Sequence, residues 1–404
     1  MKITDIKAYS VAIPFTAPIR SSMGVSYPAR MRTLIEVHTD EGITGWGECG
    51  YNPLGTFTGT PQAAAFEGPI KRLLQGDDPH DSEWIRRKMG FSKEESVAVE
   101  LACWDIMGKE AGLPVYRLLG GQGCKEGVEH SAYVFFRAPD REGKNEITPD
   151  NLAEHCLGLI KEHGFGTLKI KIGAYDPDTE IDAIKRLRQA VGPKIRIFLD
   201  PNGTWMLSTA LHVAKALEDT NILYYEDPIA YNEVNIRRLQ QATSTPIAVS
   251  CGFAPELRSV LLHGTADIVQ TDLYDAGGLR GTNAWYAVAR AFQKPTAMHS
   301  GREIGIAQLA KMHAVAAQPD VVYPTDGIYN QYVDDILVGG KLKYTNGVLP
   351  LSEKPGLGVE IDFDRVAKWE LTDTVHHEFD EFWASTKADL GIGYLGEDKK
   401  VRYY

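Results

Sequence analysis

The stretch TLKIKIG, residues 167–173, sets two lysines one residue apart inside a run that otherwise reads as a buried strand. Alternation along a strand sends every second side chain to the same face. Lys169 and Lys171 therefore share a face, and two ammonium groups there need polar or anionic company. Outward from this run the pattern repeats. Short apolar runs alternate with amphipathic stretches such as DTEIDAIKRLRQAVG and GTNAWYAVARAFQ. The runs are SAYVFF (131–136), TLKIKI (167–172), IRIFLD (195–200), ILYYED (222–227), PIAVS (246–250), DIVQTD (267–272), TAMHS (296–300) and DVVYPTD (320–326). Eight strand–helix units fit a closed (β/α) barrel better than an open sheet.

The flanks read differently. The first 50 residues are strand-like, with a turn at Asp40-Glu41-Gly42. Residues 62–120 are helical, and SVAVELACWDIMGKEAG places Val97, Leu101 and Trp104 on one stripe. From about 345 the chain returns to turn-rich sequence. The 404 residues are 43% hydrophobic, enough for two domains or one large one. A net charge of -11 with no basic cluster excludes a nucleic-acid track and leaves room for small anions in a local pocket. Five widely spaced cysteines (Cys49, Cys103, Cys124, Cys156 and Cys251) form no CxxC pair, which argues against a disulfide framework or a structural zinc. The opening MKITDIKAYSVAIPF lacks the apolar core of a signal peptide, and no stretch approaches 18 apolar residues. The expected setting is the cytoplasm, with no membrane.

In a barrel, functional side chains sit at the C-terminal ends of the strands. Asp200 ends the third run, Glu226 and Asp227 the fourth, Asp272 the sixth, His299 the seventh and Asp326 the eighth. One such residue reads as an ordinary solvated strand end; the set reads as a site. Asp200 and Glu226, on adjacent strands, can share a hard divalent cation, and oxygen ligands favour Mg2+ over zinc. Such a cation would hold a substrate carboxylate. A lysine beside cationic partners releases its proton more readily and can act as a base. Across the barrel, His299 can be oriented by Asp272. A base on each face of a held carboxylate suits proton abstraction from the neighbouring carbon. Snorkelling of the lysines at the rim and a Schiff-base role are the competing readings; the second leaves Asp200 and Glu226 without a task.

These residues and the longer motifs around them resemble the enolase superfamily, in its mandelate racemase-like branch. The resemblance runs from VHTDEGITGWGE through ELACWDIMGKEAGLPVYRLLGG to KPGLGVEIDFD. Between them lie LKIKIG, FLDPNGTW, YYEDPI, DIVQTDLYDAGGL and MHSG. It implies an α/β fold, a modified TIM barrel (β/α)7β with an α+β capping domain. The expected division is 1–125 for the N-terminal part of the cap, 126–345 for the barrel and 346–404 for a C-terminal segment completing the cap. By resemblance Lys171 is the base on one face and Lys169 its partner near the carboxylate. His299 and Asp272 form the opposite dyad, and Asp200 and Glu226 are magnesium ligands. Asn202 lies near the substrate oxygens, while Arg30 and Tyr51 belong to two specificity loops. The fifth run departs from the family pattern: where a glutamate is expected as third ligand, PIAVSCGFAPE offers Ser250 or Cys251.

MHSG and GLGVEID look like glucarate- and galactarate-type dehydratases. The reaction so implied removes the C2 proton of a sugar acid and expels the 3-hydroxyl, giving a 2-keto-3-deoxy acid. Racemisation or epimerisation at C2 uses the same residues. A non-catalytic sugar-acid binder is the alternative of another class. Arg302 and Glu303 follow the histidine, and Arg302 is a candidate reader of a distal carboxylate. The expected partner is a small-molecule carboxylate, and the chain is expected to form a homo-oligomer.

Overall fold

Alternating apolar positions near the N-terminus make strands that bury one face each. In the computed structural model Ile3–Pro14 and Ala29–Thr39 pair antiparallel, with Ile6 opposite Val37 and Ala8 opposite Ile35. Thr44–Gly50 adds the third strand of this sheet after a turn at 40–42, where Gly42 takes φ 79°. The structure describes residues 1–50, 62–90, 93–122, 126–253, 255–319, 321–372 and 381–382. Tyr51 and most of the 50s loop lie outside the described residues, as does the C-terminal stretch KADLGIGYLGEDKKVRYY.

Helix Lys93–Ala111 lies directly on this sheet. A Cβ at Gly45 or Gly47 would overlap the backbone of Ala102 or Ala98, so only glycine permits this approach. Val97 and Leu101 are fully buried and Trp104 half-buried; Ala98, Val99, Ala102 and Cys103 are buried too. The helix shows no single stripe because it is covered on two sides. The cap sheet takes one side, and barrel helix Gly278–Ala291 takes the other.

The barrel strands follow one another in chain order as a seven-stranded sheet whose registered pairs are parallel. They are Ala132–Val134, Thr167–Lys171, Arg196–Asp200, Tyr225–Glu226, Ile247–Ser250, Ile268–Thr271 and Thr296–Met298, numbered here first to seventh. Amphipathic helices such as Pro177–Val191 and Glu233–Ala242 connect them. The eighth run closes the circle through isolated parallel bridges, Thr296 to Val321 and His130 to Thr325. Pro324 has no N–H to give a ladder, which limits this segment to bridges.

Phe198, Tyr224, Ala248 and Ile268 form a small buried cluster in the barrel, with Phe198 and Tyr224 stacked at 4.3 Å. This layer fixes the inward parity of each strand. Two residues further along come Asp200, Glu226, Ser250 and Gln270, at the C-terminal end. After the barrel, Val348–Leu349 pairs with Val128–Glu129, and the chain then returns to the cap, where Ser10 O accepts from Leu371 N at 2.8 Å. Among the described residues no helix is long and apolar enough to cross a membrane.

Candidate active site

The two lysines point into the barrel and meet different partners. Lys169 Nζ donates to Glu226 Oε1 at 2.6 Å and to Asp326 Oδ2, with Asp200 Oδ2 at 3.2 Å and His299 Nδ1 at 3.3 Å. Burial pulls its pKa down, but Asp326, Glu226 and Asp200 more than offset this and hold it well above the ordinary lysine value. Lys171 Nζ donates to Asp200 Oδ2 and, at 2.9 Å, to Asn202 Oδ1. Here burial dominates and the charge on Lys169 adds to it, so despite Asp200 the pKa is lowered. Tyr133 lies under both ammonium groups, its ring centroid 4.5 Å from Lys169 Nζ and 5.3 Å from Lys171 Nζ.

Asp200 also accepts the backbone N–H of Asn202 at 2.8 Å, in a turn where Asn202 adopts φ 55°. Burial opposes its charge, but Lys171 and Lys169 hold its pKa well below the carboxylate range. Glu226 is pushed up to about 8, by burial first and then by Asp200. Its Oε2 is buried with no partner. Two carboxyl groups pressed together, one with an orphan oxygen, fit a hard divalent cation. Glu226, His299 and Asp326 also bring ligand atoms within 4.8 Å of one another. The ammonium of Lys169 contacts all three, as it does Asp200, and Glu226 is common to both groups.

Inward parity gives the fifth-strand position to Ser250, which pairs in register with Gln270. Its Oγ accepts from Gln270 Nε2 at 2.8 Å, and its N–H donates to Asp227 Oδ1 at 2.9 Å. Cys251 is buried beside Asp227, Glu256 and Trp285, and burial first, then Asp227, pushes its thiol up to about 12. It is a neutral thiol, and neither residue brings a third carboxylate.

The nearest hydrogen-bonding partners of the His299 imidazole are carboxylates other than Asp272. Its Nδ1 faces Asp326 Oδ2 at 3.1 Å and Glu226 Oε1 at 3.3 Å. Burial lowers its pKa, but Asp326, helped by Glu226, more than offsets this and the net direction is up. Asp272 caps the turn Leu273–Ala276 through Oδ1, which accepts the N–H groups of Tyr274 at 2.8 Å and Asp275 at 2.7 Å; burial first and then Asp275 push its pKa up to about 6, and His299 opposes the rise. Asp326 and Tyr133 are thus site members to which the sequence assigned no role. Asp326 was visible as a strand end. Tyr133 shares the first run's alternation, the only signal that could have marked it.

A cavity of about 260 Å³ opens above these groups, and Lys171, Asn202 and His299 line its inner part. The short strand Ile19–Ser21 of the 20s loop forms one wall and pairs with Phe136–Arg137 of the barrel. Arg30 and Arg302 also line the cavity.

Comparison with known proteins identifies the family. Residues 151–366 match the family described as enolase C-terminal domain-like, and residues 3–120 match the mandelate racemase/muconate lactonizing enzyme N-terminal domain. A probable glucarate dehydratase of Streptomyces coelicolor is 31% identical over 406 residues, covering 92% of this chain and 93% of its own. The L-Ala-D/L-Glu epimerase of Bacillus subtilis is 28% identical, covering 89% of this chain and 97% of its own. The crystal structure of an enolase from Pseudomonas fluorescens with bound magnesium, potassium and tartrate superposes with a TM-score of 0.85 at 25% identity, covering 100% of this chain and 99% of that one. The chain belongs to the mandelate racemase/muconate lactonizing enzyme family of the enolase superfamily.

Proposed function

We propose that this protein is a magnesium-dependent dehydratase of sugar acids, turning an aldonate or aldarate into a 2-keto-3-deoxy acid. The observation that carries the reading is that Lys171 and His299 enter one cavity from the second and seventh strands, Lys171 touching Asp200 and His299 touching Glu226. Asp200 and Glu226 would hold the cation, with the remaining lone pair of Ser250 or water completing its oxygens. When bound, it would take the substrate carboxylate and offset the charge that develops there.

Lys171, as the free amine, takes the C2 proton, and Asn202 fixes the position of its Nζ. The electron pair left at C2 becomes the C2–C3 double bond as the C3–O bond breaks. His299, as imidazolium, gives its proton to the departing hydroxyl, and water leaves. The enol takes a proton at C3 and becomes the 2-keto-3-deoxy acid. Lys169, ringed by three carboxylates, stays charged and balances them.

A second reading has support from the relatives, since an epimerase aligns with this chain about as fully as the dehydratase does. There His299 would deliver its proton to C2 on the opposite face. The variants Lys171→Met and His299→Asn separate the two. Under dehydration, Lys171→Met slows C2 exchange and water loss together, by about 10²- to 10⁴-fold. His299→Asn then keeps C2 exchange and loses water release. Under racemisation, each variant stops exchange from one stereoisomer only. Full activity in both variants would remove these residues from the chemistry.

A further inference from the structure

The inner end of the cavity is accounted for by the lysines, the histidine and the carboxylates beneath them. The outer end is not. Its charged residues are Arg30 and Arg302, and no acidic residue lines the cavity among the described residues. Arg30 is half-buried, its guanidinium 5.9 Å from the centroid of Phe15. Its Nε is buried with no hydrogen-bond partner, and it forms no ion pair among the described residues. Arg302 is exposed and likewise forms no ion pair among them.

The backbone holds Arg302 in place at some cost. It adopts φ 68°, a left-handed conformation that an arginine rarely takes. Three contacts enforce it. Ser300 Oγ accepts the Arg302 N–H at 3.2 Å, Tyr332 Oη donates to the Arg302 carbonyl at 3.2 Å, and Glu303 Oε1 accepts from Gly301 N at 2.7 Å. Glu303 could have neutralised the arginine, but it also accepts from Ser300 Oγ at 2.7 Å and pairs with buried Lys311 at 3.3 Å. Burial brings Arg30 down to about 10; the neighbouring Tyr332 hydroxyl opposes the fall, and the nearby charge of Arg302 adds to it. Two like charges without a counter-charge beside a cavity leave an anion-shaped gap.

We propose that Arg30 and Arg302 form a second anion subsite and that the substrate is therefore a diacid, one carboxylate at the lysine end and the other between the two arginines. This rests on the inner end being read as a carboxylate site. Ser21 and Ser26 also line the cavity, with hydroxyl groups suited to a polyhydroxy chain.

Equilibrium binding tests it with matched acids that differ only at the far carbon. The pairs are galactarate with galactonate, glucarate with gluconate, and tartrate with threonate. They are titrated by calorimetry in magnesium buffer into full-length protein carrying Lys171→Met, so that turnover does not intrude. At least one diacid is expected to bind about 10- to 100-fold more tightly than its monoacid partner. Arg302→Gln, and separately Arg30→Gln, should bring that diacid towards the monoacid's affinity. Arg302 is exposed, so its variant keeps the test sound if Arg30→Gln disturbs the packing on Phe15. Equal binding of both members of every pair would overturn the proposal. So would a preference that survives both variants, or a failure of all three diacids to bind. Arginine-dependent diacid binding without any product from the unaltered protein would remove the dehydratase reading and keep the subsite. Dehydration of monoacids alone would do the reverse.

Discussion

Lys169 and Lys171 stand two positions apart on one strand, yet their surroundings drive them in opposite directions. Three carboxylates keep the first charged, and burial pulls the second towards the free amine. That separation gives one residue the task of balance and the other the task of base. The partner of His299 makes a sharper test. Asp326 contacts both His299 and Lys169, whereas Asp272 caps a turn. Asp326→Asn should cut kcat about 10- to 100-fold with little change in KM. Asp272→Asn should act first on stability, by roughly 1 kcal/mol. Steady-state kinetics and urea midpoints on the two variants check this, and a kcat loss in Asp272→Asn as large as that in Asp326→Asn would contradict the assignment. The side chains that gather in the barrel were legible because strand alternation and strand ends are local properties. The use of Asp272 was not, since a carboxylate that bonds its own backbone looks the same in sequence as one aimed at a histidine. Ser250 and Cys251 stayed ambiguous for a related reason: only the register of Ser250 with Gln270 decides which one faces inward.

At the scale of elements, buried carboxylates of the cap terminate helices of the barrel. Glu100, on helix Lys93–Ala111, accepts Leu279 N and Arg280 N at 3.0 Å each and Trp104 Nε1 at 2.6 Å. Burial leads, and its pKa rises from the ordinary 4.5 to about 7. Its folded-state value stands above the unfolded one, so the folded protein binds a proton that the unfolded chain releases. The associated stability is complete below about pH 4.5 and is lost as pH climbs through about 7, on the order of 3 kcal/mol. Glu100→Gln should therefore flatten the fall in urea midpoint between pH 5 and pH 8, whatever it does to the midpoint itself; an unchanged slope would contradict this. Element types and order were readable from periodicity, because the runs alternate cleanly. Two details were not. The eighth run pairs only through bridges on account of Pro324, and helix Lys93–Ala111 is enclosed on two sides, which no single stripe can reveal.

The whole molecule is a barrel with a lid fastened by charge. Glu48, from the cap sheet, accepts the backbone N–H groups of Ile304 and Ala307 at 2.9 Å each and Arg32 Nε at 2.8 Å. Ile304 is 256 positions from Glu48, so nothing in GWGECG announces the contact. Asp105 joins the C-terminal segment to the cap in the same manner, accepting Leu357 N at 2.8 Å and Trp46 N at 3.0 Å. These ties set the cap over the barrel mouth, and the cavity lies between the 20s loop and the strand ends. The central claim concerns the chemistry in that cavity. It is tested most directly by incubating the purified protein with magnesium and a panel of sugar mono- and diacids in heavy water, and weighing the products. The account predicts a product lighter by one water, with a 2-keto group and deuterium at C3. Deuterium gained at C2 with no loss of water from any acid would contradict it and establish racemisation or epimerisation instead.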